Sequence, residues 1–152
     1  MSGANVYYQD LAACGLTSAA ANFKVTPVFQ KLSSYINRNS TGNVVGIDDV
    51  ARGAEVAGKH VLIVEDIFDT GGTMTKLIGK LEELDAKSIR STIAFHKRNP
   101  KRVLSYQADY IGFEVPNTFI VGYGTDYNEK FRDVPHLFEL NALGIKTFAV
   151  EE

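Results

Sequence analysis

The stretch from His60 to Leu84 constrains the fold more than any other. It opens on an unbroken apolar run, His60-Val61-Leu62-Ile63-Val64, and continues as Glu65-Asp66-Ile67-Phe68-Asp69-Thr70-Gly71-Gly72-Thr73-Met74-Thr75. A β-branched run without alternation suits a strand covered on both faces, as in a parallel sheet. Beyond it, Met74, Leu77, Ile78, Leu81 and Leu84 recur at helical spacing, which predicts a helix over Thr73–Leu84. Strand, glycine turn and helix in that order predict an α/β domain.

The remaining pattern agrees. Asn5–Ala13 reads as a short helix ending near Gly15, Phe23–Gln30 as a half-buried strand and Ser33–Asn43 as a polar loop. A short strand over Asn43–Ile47 leads into an acidic, glycine-punctuated connection to Lys59. Ser88–Phe95, Tyr110–Val115, Thr118–Val121 and His136–Leu140 are further strand candidates. With 152 residues, 45% of them hydrophobic, the chain can bury one core, so one domain over residues 1–152 is expected. A net charge of -2 without like-charge runs signals neither a nucleic-acid groove nor a membrane-surface patch. No run approaches the ~20 apolar residues of a membrane span, and no signal-peptide pattern opens the chain, so a soluble, cytoplasmic protein is expected. The lone Cys14 admits no intrachain disulfide and is expected to be a small buried hydrophobe.

The loop at the end of the His60 strand has a definite chemistry. In open α/β sheets ligands bind beyond the carboxyl ends of strands. Backbone N–H groups at a helix start form an anion site, and Gly71 and Gly72 allow close approach of a phosphate and positive φ. Thr70 and Thr73 can add hydroxyl donors. Glu65 and Asp66 repel phosphate but accept hydrogen bonds from ribose hydroxyls and suit a hard cation such as Mg²⁺. The absence of G-x-G-x-x-G and of a lysine after the glycines excludes the two common nucleotide motifs. Taken singly, each residue also fits an acidic surface loop with a helix cap.

Downstream, Phe95-His96-Lys97-Arg98 ends a strand candidate, and Tyr110 to Asp133 contains Pro116-Asn117-Thr118-Phe119-Ile120-Val121-Gly122-Tyr123-Gly124-Thr125-Asp126. Phe119 can stack on a flat base. Lys97, a pure donor, favours a 6-oxo over a 6-amino purine. The backbone at Ile120 can read a ring edge. Each has an ordinary alternative: Phe119 as a core aromatic, Lys97 as a solvated lysine, Asp126 as an Asx turn, Arg132 paired with Glu129. The three histidines have neither metal spacing nor a nucleophile partner.

Together, the Glu65–Thr75 string and the Tyr110–Asp133 segment resemble the type I phosphoribosyltransferases, in particular the hypoxanthine-guanine branch. The resemblance implies a mostly parallel twisted sheet flanked by helices. It also implies transfer of the phosphoribosyl group of phosphoribosyl pyrophosphate (PRPP) to a 6-oxopurine, giving IMP or GMP and pyrophosphate, with Mg²⁺ as cofactor. Glu65, Asp66, Ile67, Phe68, Asp69, Thr70, Gly71, Gly72 and Thr73 would hold the phosphate and ribose. Asp69 would act as general acid/base at purine N7, and Lys97, Thr118, Phe119, Ile120 and Asp126 would hold the base. Asp126 would assist the metal and Arg132 would face pyrophosphate. Ser34 and Tyr35 match the pair in the family's mobile loop, and a homo-oligomer is implied, since relatives are dimers or tetramers.

The resemblance runs from residue 2 to about residue 140 and departs from the family at its start. Gly3 to Leu11 resembles the segment after the family's pyrophosphate loop, and Ser2 stands where a lysine is usual. The expected fold therefore lacks the family's first strand and helix, the strand being the neighbour of the one ending at Glu65. Gly72 also stands where relatives often carry lysine. A non-catalytic purine-nucleotide-binding or regulatory protein on the same fold is the alternative reading, and an unrelated Rossmann-like module a third.

Overall fold

Three parallel strands run side by side in chain order: β3 (His60–Phe68), β4 (Ser88–Lys97) and β5 (Tyr110–Val115). The computed structural model describes residues 3–16, 24–29, 32–36, 39–46, 56–101 and 106–150. Ahead of the sheet lie α1 (Asn5–Leu11), a π-helical turn over Ala12–Leu16, and an antiparallel pair, β1 (Ser33–Ile36) with β2 (Asn39–Val45). Between β3 and β4 runs α2 (Gly72–Glu83), the crossover that parallel neighbours require. A short antiparallel pair, β6 (Ile120–Val121) with β7 (Phe138–Glu139), and α3 (Ala142–Thr147) follow. No described helix is long and apolar enough to cross a membrane.

The core has two clusters. Met74, Leu77 and Leu81 of α2, at i, i+3 and i+7, pack with Ile63, Phe68 and Ile93. Fully burying each such side chain contributes roughly 1.5–3 kcal/mol. The second cluster joins Ala94, Phe95, Val115 and Ile120, with Tyr7 of α1 and Ile67 against it. Ala94 and Phe95 are sequence neighbours in the same cluster, so β4 departs there from strict alternation. Gly112 of β5 lies against the departure: a Cβ on it would come within 2.8 Å of the Ala94 carbonyl oxygen.

Several expectations are corrected. Residues 24–29 form no strand, whereas the polar stretch from Ser33 contains β1 and β2. Backbone pairing there is Tyr35 with Ser40 and Ile36 with Asn39, which a composition rich in Ser, Asn and Thr did not announce. Ser34 and Tyr35 thus lie on β1. Ile47, the far end of the expected Asn43–Ile47 strand, and most of the acidic connection lie outside the described residues. The main strand runs four residues past Val64 to Phe68, so Glu65 and Asp66 sit in the sheet and only Asp69–Gly71 form the turn. The two C-terminal strands shorten to Ile120–Val121 and Phe138–Glu139. Cys14 is exposed, not buried: the π-helical turn leaves one face to solvent, and Gly15 ends it at φ 108°.

Candidate active site

The parallel register sets the site. Phe68 pairs with His96, so Asp69, the first residue beyond β3, and Lys97, the last of β4 and still paired with Val115, stand side by side at the carboxyl edge of the sheet. Lys97 Nζ donates to Asp69 Oδ2 at 3.2 Å, and the two side chains are only 7% and 22% exposed. The Asn99 amide donates to the other carboxylate oxygen at 2.5 Å. Lys97 Nζ also stands 5.4 Å from the centre of the Phe119 ring. That ring also packs against Tyr127, edge-on at 5.2 Å, whose own hydroxyl donates to the Ile145 carbonyl.

These groups line a cavity of about 320 Å³, with Asp69, Lys97, Asn99, Lys101, Thr118 and Phe119 in its wall. A second cavity of about 420 Å³ shares Thr118 and Phe119 and extends to Glu139 and Ile145. The second contains no cationic group, so the convergence of charge makes the smaller one the candidate site.

The turn into α2 is built by Gly71. It caps the helix at φ 86°, and a Cβ there would approach Phe68 Cζ to 2.7 Å. Its carbonyl accepts from Thr75 N at 3.0 Å and Thr75 Oγ1 at 3.1 Å. Gly72 does not share the positive φ expected of both glycines, and a Cβ there would meet nothing nearer than Thr70 Oγ1 at 3.9 Å. Its backbone N–H opens the helix.

A second polar group forms around Asp66. Asp66 Oδ1 accepts from its neighbour's amide, Ile67 N, at 2.9 Å. Gly3 is pressed against it: a Cβ on Gly3 would lie 1.9 Å from Asp66 Oδ2 and 3.2 Å from Arg132 Nη1. Arg132 pairs with Asp126 at 2.8 Å and donates to the Gly124 carbonyl at 2.9 Å, so its partner is Asp126 and not Glu129. The other Asp126 oxygen accepts from Glu129 N at 2.6 Å, the Asx-type turn considered for it. Burial pushes the Glu65 carboxyl well above the usual carboxylate range, and the adjacent Asp66 charge and the hydrogen bond between them raise it further. Asp66 is raised too, mainly by burial, against the lowering influence of Ile67 N–H, Glu65 and Arg132.

The loop that carries Asp126 is strained: Tyr123, Asn128, Glu129 and Phe131 all have positive φ between 50° and 75°. Such strain persists only where surrounding contacts over-determine it, and it clusters at functional sites. Here the ties are Tyr123 N to the Val134 carbonyl at 2.8 Å and the Tyr123 hydroxyl to Asp10 of α1. Burial and Asp10 push that phenol up to about 12.

The structure therefore brings Asp69, Lys97, Thr118 and Phe119 together at one cavity, and Asp66, Asp126 and Arg132 in one polar group. Ile120 is buried on β6 beside the first, paired through its backbone with Glu139. Thr73 lies in the first turn of α2. Asn99 and Lys101 were not anticipated; the signal available was an Asn-Pro turn directly after Lys97-Arg98.

Comparison with known proteins agrees with this geometry. Residues 11–128 match the family described as phosphoribosyl transferase domain. Over 122 residues the chain is 43% identical to the hypoxanthine-guanine phosphoribosyltransferase of Homo sapiens, covering 79% of this chain and 54% of that protein. The chain thus spans about half the length of the curated relatives it matches. Among solved structures, a hypoxanthine-guanine phosphoribosyltransferase from Bacillus anthracis superposes with TM-score 0.75 at 32% identity, covering 93% of this chain and 78% of that one. The hypoxanthine phosphoribosyltransferase of Trypanosoma cruzi, solved with the product IMP, gives TM-score 0.76 at 29% identity, covering 95% and 73%. A family model that matches most of the chain, a relative 43% identical over 79% of it and a shared fold together show that the chain belongs to the phosphoribosyltransferase family.

Proposed function

We propose that this chain transfers the phosphoribosyl group of PRPP to a 6-oxopurine, hypoxanthine or guanine, giving IMP or GMP and pyrophosphate. The observation that carries the reading is the pair of buried Lys97 and half-buried Asp69, opening onto one cavity with the Phe119 ring. Lys97 has donors only, so it rewards a 6-oxygen and is left unpaired by a 6-amino group. Phe119 offers its face to the ring, and Thr118 and Ile120 offer backbone groups to its edge. As N9 bonds to the anomeric carbon and the bond to pyrophosphate breaks, Asp69 takes the N7 proton. Positioning and charge stabilisation supply the rest of the acceleration. The α2 N-terminus at Thr70–Thr73 receives the 5′-phosphate, Glu65 and Asp66 accept from the ribose hydroxyls, and Arg132 faces pyrophosphate. Ser34 and Tyr35 belong to the segment that would close over the site.

Magnesium fits as an ion carried in by the substrate. Among the described residues no group of three His, Cys, Asp or Glu side chains forms a metal cage. Mg²⁺ usually takes one or two carboxylates together with substrate phosphates. Asp126, and the Glu65–Asp66 pair, have the hard oxygen donors it requires. When bound, the ion neutralises charge on the departing pyrophosphate. Self-association belongs to the same reading, and the exposed Ile111 and Phe113, two apart on β5, supply an apolar surface for it.

The test is product analysis with labelled hypoxanthine, PRPP and Mg²⁺. Equal amounts of labelled IMP and pyrophosphate support the reading. Tight binding of IMP without either product replaces it with a nucleotide-binding role.

A further inference from the structure

We infer that Asn99 is a positioning residue for Asp69, holding the carboxylate in place while Lys97 changes partner from Asp69 to the base. The inference rests on the roles just proposed for Asp69 and Lys97.

Two donors converge on one carboxylate: Lys97 on Oδ2 and Asn99 on Oδ1. They differ in what else they can do. Lys97 is on a long, flexible stem and must reach the 6-oxygen of an incoming base. Asn99 cannot turn so freely. Its own oxygen accepts from Lys101 N at 2.9 Å, which fixes the amide with Nδ2 facing Asp69. Pro100 lies between the two ends of that turn and stiffens it. When Lys97 releases Oδ2, Asn99 keeps hold of Oδ1, and the carboxylate retains its orientation toward the cavity. Without Asn99 the same exchange would take away the donor that orients Oδ1 at the moment the geometry of Asp69 matters, and a misplacement of about 1 Å costs up to about 100-fold in rate.

Asn99→Asp separates this role from a merely structural one. It keeps the oxygen that accepts from Lys101 N but replaces the donor facing Asp69 with an acceptor. Asn99→Ala removes both. If Asn99 only shapes the turn, Asn99→Asp retains activity and Asn99→Ala does not. If it positions Asp69, both lower kcat by about 10–100-fold with KM for PRPP within about 2-fold.

A double-mutant cycle with Asp69→Ala, read in kcat and in IMP affinity, completes the test. The inference expects Asn99→Asp to have no further effect once Asp69 is gone. Equal effects in both backgrounds, or full activity of Asn99→Asp, overturn it. A folded wild-type chain with neither turnover nor IMP binding overturns instead the reading on which it rests, and the inference with it.

Discussion

Among the described residues, buried Lys97 has a single carboxylate partner and one aromatic neighbour, an arrangement stable only if the ammonium is well compensated. Its use as a donor to the base gives a direct expectation. Lys97→Met keeps the length and removes the charge, so affinity for IMP should fall by about 10–100-fold, the ~1.5–3 kcal/mol of a charged hydrogen bond. Calorimetric titration would measure it, and unchanged affinity would remove Lys97 from the base site. Glu65 gives a pH expectation of definite sign. Its carboxyl is raised in the fold by burial, so its contribution to stability is greatest below the ordinary carboxylate range and is lost as pH rises through the raised value. Glu65→Gln should therefore melt higher than wild type at neutral pH, and the difference should close as pH falls toward 4. For a protein of this size each 1 kcal/mol of relief corresponds to about 2–4 °C. A melting difference that does not change with pH would contradict the assignment.

At the scale of elements, the β3–turn–α2 unit was legible because each part carries its own local signal: a β-branched run, a positive-φ glycine and a helical apolar stripe. Its extension through Glu65 to Phe68 was not, because charged residues in mid-sequence read as a strand end unless their burial is known. The β1–β2 pair was missed for the related reason that polar residues pair through the backbone as well as apolar ones do. The Asp69–Lys97–Asn99 contact depends on the parallel register of strands joined by a helix, and no local pattern reports register. The turn makes a testable division between its glycines. Gly71→Ala, at φ 86° with Phe68 in the way, should destabilise by about 1–3 kcal/mol. Gly72→Ala has room for its Cβ and should fall within about 0.5 kcal/mol of wild type or gain stability. Urea unfolding of the two variants decides it, and equal losses would mean that the turn is not built as described.

For the whole molecule, what joins the parts is convergence from distant sequence. Gly3 reaches Asp66 and Gly124, Tyr123 reaches Asp10, and Tyr7 of α1 hydrogen-bonds Thr92 of β4 at 2.6 Å. The β3–β4 edge places the glycine turn into α2 and the Lys97–Phe119 cavity next to each other, and the strained 122–131 loop closes the second polar group. The family and the proposed transferred group could be argued from motifs, whereas the division into one Asp69–Lys97 cavity and one Asp66–Arg132–Asp126 group needed coordinates. The central claim is that this convergence makes Asp69 the group that moves the proton. The most direct test compares wild type and Asp69→Asn in ultraviolet-monitored, PRPP-dependent conversion of hypoxanthine, with IMP affinity measured on the same samples. Turnover should fall by about 10²–10⁴-fold while IMP affinity changes little. Equal turnover in the two proteins would contradict the account.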